Sequence, residues 1–307
     1  VRVSGVLEGF LVIGVVVAVG VVVGRFGVLP EGATETLSRT AFFVASPALL
    51  FVTLLRADVA RVLSTGLVVT ALAAVAVCLL YIPVGVLRRR PRGETVVGSM
   101  ASGYLNAGNL GIPIATYALG SAAEIAPSLI FQLAVLTPAY TTLLDVVAAR
   151  RRGEDPGIGG ALLAPLRNPL LLATVAGLLL NVAGVSVPES LLQPVELLAD
   201  LAVPAMLLAF GLSLAHAQRP GRDDDPVCLG AVIVLKNLVH PFLAWLIGST
   251  FGLEGPALLA VVVSAALPTA QNVFGYAVRF ATGVPLARDA ALITTVVSVP
   301  VLLVVAL

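Results

Sequence analysis

The sequence predicts an all-α membrane protein of ten transmembrane helices in two inverted five-helix repeats, with helices 4 and 9 broken and crossed near the membrane centre. Three observations predict it. The 307 residues are 59% hydrophobic and 11% charged, against about 45 to 50% and about 25% in soluble domains, and the mean hydropathy is +1.05. So little polar side chain excludes a water-soluble globule. Apolar runs near the length of a span, about 20 residues, recur along the whole chain, and the two halves carry prolines and amides in the same order.

The first run, 7–24, has the length of a signal peptide. No small-residue cleavage pattern follows it and Arg2 is the only basic residue ahead of it, so it reads as span 1. Span 2 covers 37–55 and contains Pro47; span 3 covers 64–87; span 4 covers 97–119. Span 5, 127–148, ends on Arg150 to Arg152, and span 6, 168–184, is the shortest. Span 7, 192–214, holds Pro204; span 8, 227–251, holds Lys236 and His240; spans 9 and 10 are 256–280 and 289–307. The connections are short and insert no soluble domain. The chain reads as one membrane domain, 1–307, with repeats at 1–149 and 165–307.

Charge placement orients the spans. Of 17 arginines, fourteen fall in the loops after odd-numbered spans, and Arg2, Arg56 and Arg61 fall on the other side. The positive-inside rule puts the fourteen in the cytoplasm and both termini outside an inner membrane. The net charge of +1 gives no field for nucleic acid. Cys78 and Cys228 lie in apolar runs and form neither a disulfide framework nor a metal pattern.

The repeat rests on four matches. Pro30 pairs with Pro188, Pro47-Ala48-Leu49-Leu50 with Pro204-Ala205-Met206-Leu207-Leu208, and Cys78 with Cys228. Asn106-Ala107-Gly108-Asn109 pairs with Thr269-Ala270-Gln271-Asn272. Five spans per copy force opposite insertion, an architecture that recurs in secondary transporters.

The polar matches are also the helix breakers. Span 4 holds Asn106, Asn109, Gly111 and Pro113, and span 9 holds Pro268, Thr269, Gln271 and Asn272. Each proline removes a donor and crowds the carbonyl four residues back. Either segment alone reads equally as a kinked helix with polar packing groups. Two breaks at equivalent positions predict half-helix ends at the midplane, whose free N–H groups suit a carboxylate and whose carbonyls suit a cation. These eight residues are the candidate substrate site.

Few other ionisable groups lie inside the spans. Lys236 and His240 share a helix face, and a lysine in a span marks a pairing or functional site. Its candidate roles are an ion pair with Asp200 or Asp145, or a part in substrate charge or proton coupling. Pro47 and Pro204 are candidate hinge or scaffold positions. No catalytic motif, metal cluster or cofactor signature occurs, and a coupling proton or sodium ion is unassigned.

Phe42, the Pro47-Ala48-Leu49-Leu50-Phe51 stretch, Asn106-x-x-Asn109-x-Gly111-x-Pro113, the segment from Lys236 to Pro241 and Pro268-x-x-Gln271-Asn272 resemble the auxin efflux carrier family, bacterial relatives of the plant PIN proteins. The resemblance implies a scaffold part of spans 1, 2, 6 and 7, and a transport part of spans 3 to 5 and 8 to 10. It also implies elevator-like movement of small organic anions and a homodimer in membrane lipid, in a fold shared with bile acid:sodium symporters and NhaA-like proteins. Plant crossovers centre on prolines, whereas Gly108 and Gly111 precede Pro113 here, and the 150–167 connection is short. Mono- or dicarboxylates such as malate or malonate therefore fit better than auxin. The alternatives are a sodium-coupled symporter of the bile-acid type, a membrane enzyme, or a structural or sensory membrane protein.

Overall fold

The computed structural model describes residues 3–30, 32–56, 65–111, 114, 115, 119, 122–153, 169–215 and 225–306, some helical residues, among them Asn109, for their backbone alone. The described chain is helical, with one isolated antiparallel bridge between Leu105 and Thr269. Its helices are α1 (Val3–Arg25), α2 (Ala33–Thr40), α3 (Ser46–Leu55), α4 (Thr65–Leu87), α5 (Arg92–Gly103), α6 (Ala126–Phe131) and α7 (Thr137–Arg151). They continue as α8 (Pro169–Val182), α9 (Glu189–Asp200), α10 (Ala202–Ala215), α11 (Pro226–Val234), α12 (His240–Thr250), α13 (Gly255–Ala266), α14 (Gln271–Arg279) and α15 (Val284–Ala306).

The ten-span expectation is corrected. Among the described residues, five helices are long and apolar enough to cross a membrane: Ala33–Leu55, Thr65–Leu87, Glu189–Ala215, Pro226–Thr250 and Val284–Val305. Gly14–Arg25 and Gly255–Ala266 are shorter apolar helices. The architecture is an all-α multi-pass membrane protein, not a ten-span inverted-repeat elevator fold. The physical reason is that average hydropathy does not register where hydrogen bonding stops. The 97–119 run ends its regular helix at Gly103, and 256–280 is divided into α13 and α14; none of these pieces reaches the roughly 20 residues of a span. The 127–148 run is α6 and α7 joined through a π turn.

Prolines explain three of the four π turns among the described residues. In Ala41–Ala45, Gln132–Leu136 and Leu235–Val239, the N–H of Ser46, Thr137 and His240 reaches back five residues, to the carbonyls of Ala41, Gln132 and Leu235. Each of these donors directly precedes a proline: Pro47, Pro138 or Pro241. A proline ring crowds the carbonyl four residues back, and one wide turn upstream lets the helix continue. The fourth, Ala107–Gly111, closes with Gly111 N–H on Asn106 O at 3.0 Å. Pro113, two residues on, lies outside the described residues. Pro204, in contrast, is exposed in the first turn of α10, just after the α9 helix ends.

Glycines set two close helix approaches. A Cβ at Gly20 would sit 2.7 Å from Leu208 O, and one at Gly24 2.6 Å from Ala215 Cβ, so the Gly20-to-Gly24 spacing lets α1 lie flat against α10. α2, α3, α8 and α9 pack with them, while α4, α5, α7 and α11 to α15 pack with one another. α14 touches both groups, meeting α2 and α10 on one side and α5 and α15 on the other. Outward faces are apolar along the long helices, with Leu79, Phe242, Val296 and Val304 all exposed, the pattern of a surface solvated by lipid.

Candidate functional site

Two interrupted helices meet in the core. α5 stops at Gly103, and Tyr104 and Leu105 continue in extended backbone; α13 stops at Ala266, and 267–270 do the same. The stretches run antiparallel, with Asn106 N–H donating to Pro268 O at 2.9 Å and Ala270 N–H to Tyr104 O at 3.1 Å.

Every interruption strands the backbone groups that would have bonded four residues away. Here side chains from other helices take them. Leu105 N–H, withdrawn from Ala101 O, donates to Gln132 Oε1 at 2.6 Å, and Gln132 Nε2 returns a bond to Leu105 O at 2.7 Å. Ala101 O accepts instead from Thr269 Oγ1 at 2.7 Å. In the second segment Thr269 N–H donates to Thr294 Oγ1 at 3.1 Å, and Ala265 O, which has lost it, accepts from Lys236 Nζ at 2.9 Å. Pro268 has no N–H for Ser264 O, and Leu267 N–H takes that carbonyl at 3.2 Å. The Ser264 and Ala265 carbonyls at the end of α13 are therefore satisfied from within the protein.

The amino end of α14 is different. The N–H groups of Gln271 and Asn272, at its first two positions, have no acceptor within the helix. Asn106 Nδ2 donates to Gln271 Oε1 at 2.8 Å, which leaves the Gln271 amide hydrogens for another acceptor. Asn272 is half-buried and faces the Tyr104 phenol together with Gln132 and Tyr276. Thr137 gives its hydroxyl hydrogen to Gln132 O, so Tyr104 donates to Thr137 Oγ1. The result is a polar cluster that carries no formal charge.

Lys236 lies in the Leu235–Val239 π turn and is fully buried. Its ammonium bonds Ala265 O and, at 3.0 Å, His240 Nδ1. The sequence alternatives for a counter-ion are not its partners: Asp200 is exposed on α9, and Asp145, half-buried on α7, sits in the field of Arg279 and Arg152. His240 Nε2 and Asn237 Oδ1 are buried without a hydrogen-bond partner among the described residues. Asn237 Nδ2 donates to Thr294 O at 3.2 Å.

Of the residues singled out in the sequence, Asn106, Pro268, Thr269 and Gln271 come together and are buried. Gly111 is buried against Ile125 and Leu267. Asn109 has its backbone in a π turn, and Pro113 lies outside the described residues. Sequence reasoning missed Gln132 and Thr294, which complete the interruptions, and the buried Arg288–Asp289 pair at 2.7 Å. A glutamine in an apolar run was the available signal for the first. No group of His, Cys, Asp or Glu able to hold a metal occurs among the described residues.

An apolar-surfaced helical bundle with two buried, hydrogen-bonded helix interruptions has the makings of a multi-pass membrane transporter, and comparison with known proteins agrees. The chain belongs to the membrane transport protein family, which matches residues 6–306. This is a family of transporters, not of enzymes. A Rhizobium meliloti (strain 1021) protein whose name assigns it provisionally to malonate transport is 29% identical over 277 residues, 88% of this chain and 85% of the relative. An uncharacterized transporter of Methanothermobacter thermautotrophicus is 26% identical over 299 residues, 96% of this chain and 95% of its own. The uncharacterized Escherichia coli (strain K12) transporter YfdV is 24% identical over 273 residues, with 87% and 85% covered.

Proposed function

We propose that this chain is an auxin-efflux-carrier-type transporter that carries small mono- or dicarboxylates, of the size of malonate or malate, across the inner membrane by alternating access. One observation carries the anionic class. At the α13–α14 interruption Lys236 takes the Ala265 carbonyl, while the first N–H groups of α14 have no acceptor within the helix and no side-chain cap among the described residues. A helix amino end carries partial positive charge, so the unfilled half of the break favours a carboxylate.

The substrate site comprises Asn106, Asn109, Gly111, Pro113, Pro268, Thr269, Gln271 and Asn272, with Gln271 and Asn272 supplying backbone and side-chain donors. Neutral amides orient the anion without trapping it as a fixed arginine would, which suits a group that must also release its cargo. The helices around α1 and α10 form the frame, and α14, touching both groups of helices, lies where they move against each other. The provisional malonate assignment of the Rhizobium relative supports the size of the substrate.

Counterflow in proteoliposomes tests the reading. Vesicles loaded with unlabelled malonate are expected to take up labelled malonate, and malate or succinate in the lumen to replace it, while a neutral diol of equal length does not. Equal exchange of the diol, or no exchange of any carboxylate, overturns it.

A further inference from the structure

Lys236 is the only lysine in the chain, and it is fully buried between neutral acceptors, Ala265 O and His240 Nδ1. Among the described residues, no carboxylate forms an ion pair with Lys236, and Glu124 lines a cavity that reaches Ser264. From α4 the Cys78 thiol faces the ammonium, and α13 contains no titratable residue. On α5, Arg92 and Glu94 lie in the first turn, with Glu94 paired to Arg90. On α15, Arg288 and Asp289 pair with each other, five residues or more before Thr294, the residue that meets Asn237. On its own helix the neighbours are His240 and, on α11, the buried Cys228.

A buried charge without a counter-ion is strongly disfavoured. The ammonium form is therefore conditional on something that compensates it. The open amino end of α14 begins six residues after Ala265, so an anion held there supplies negative charge across the same interruption. His240 can match either state of the lysine by its neutral tautomer: with Lys236 as the ammonium, Nδ1 accepts and Nε2 bears the hydrogen; with Lys236 as the neutral amine, the tautomer with the hydrogen on Nδ1 donates to it, and the pair holds one proton fewer. A cavity of about 310 Å³, with Thr70, Glu124, Ser128 and Ser264 among its mostly apolar lining, ends one residue from Ala265.

We infer that the Lys236–His240 pair, at the carbonyl end of α13, binds a proton together with the transported anion. The inference rests on the carboxylate reading above. Binding is reciprocal by linkage: the anion holds the proton at Lys236, and the proton tightens the anion. Movement of the loaded form then carries the proton with the substrate.

The single lysine makes the site directly observable. Protein labelled with [ε-13C]lysine in nanodiscs gives one lysine signal, followed against pH with and without malonate. The expected result is a signal that titrates and that malonate returns to the protonated position at a pH where the free protein holds it neutral. In proteoliposomes, an imposed pH gradient is expected to drive malonate accumulation equally in sodium and potassium buffers. Lys236→Gln and His240→Gln are expected to lose at least tenfold in pH-driven accumulation, and the weakened malonate counterflow of Lys236→Gln is expected no longer to depend on pH. A lysine signal indifferent to both pH and malonate, accumulation by Lys236→Gln equal to the parent, or a sodium requirement overturns the inference. If no carboxylate exchanges but the lysine signal still titrates, the proton site stands and the anion reading fails.

Discussion

The Lys236 Nζ meets the Ala265 carbonyl at 2.9 Å, on the acceptor that Thr269 would have bonded in an unbroken helix. A side-chain donor thus takes a carbonyl that the interruption had left free. On the other side of the interruption, the N–H groups of Gln271 and Asn272 have no acceptor within their helix, which is the basis of the anion site proposed above.

Thr269 links the two interruptions. Its hydroxyl is the donor to Ala101 O, so Thr269→Val is expected to leave a buried carbonyl unpaired and to destabilise the protein by about 1 to 3 kcal/mol. Thr269→Ser keeps the bond and recovers most of the loss. Thermal unfolding in detergent, comparing both variants with the parent, checks the order.

Gln132 acts on both polar groups of Leu105, and Gln132→Leu strands them together. The expected cost is about 1 to 3 kcal/mol for each group left unpaired, larger than for Thr269→Val. Denaturant or thermal unfolding of the two variants side by side measures the difference.

Gly111→Ala pushes a methyl group to 2.8 Å from Ile125 Cγ1 and 3.0 Å from Leu267 Cδ1. Overpacking of this kind costs about 1 to 3 kcal/mol, and here it also pries the two segments apart. The expected result is a lower unfolding temperature together with weaker malonate binding. Gly230→Ala, where a Cβ meets nothing within 4 Å, is expected to change neither.

Asp225 caps α11 by accepting from Val227 N–H at 2.9 Å, and it accepts from Arg88 at 2.8 and 2.7 Å. The Arg88 guanidinium, more than the Val227 amide, holds the carboxyl below its ordinary value. A depressed carboxylate pKa contributes stability above the unfolded value, about 3.9, and that contribution is lost as pH falls through the folded value. Asp225→Asn is therefore expected to be less stable than the parent at neutral pH, with the gap closing in acid and narrowing in high salt. Unfolding temperatures measured over a pH series check this.

What the sequence made legible follows from what each signal averages over. Composition alone identifies the solvent, because 11% charged residues cannot coat a soluble domain. Pro268 and the amides near it mark where regular helix stops, and Asn106 and Gln271, 165 positions apart, prove to be hydrogen-bonded. The count of spans fails at the same places: a window of about 20 residues records the apolarity of Ala101 or Leu267 without recording that the helix between them and their neighbours is interrupted. Partners set by tertiary packing were not legible either. Nothing in the local pattern of 235–241 says that Lys236 will cap Ala265 instead of facing Asp200, and Thr294 looks like any threonine in an apolar helix until Thr269 N–H is seen to need it.

The central claim is that a carboxylate is held at the amino end of α14, and calorimetric titration of malonate onto the purified protein tests it most directly. Losing a hydrogen bond to a charged group costs about 1.5 to 3 kcal/mol, so Gln271→Ala is expected to weaken binding roughly 10- to 150-fold at 1.4 kcal/mol per decade. Gln271→Glu, which sets a second negative charge against the anion, is expected to weaken it further while the protein stays folded. Malonate binding by Gln271→Glu as tight as that of the parent contradicts the account.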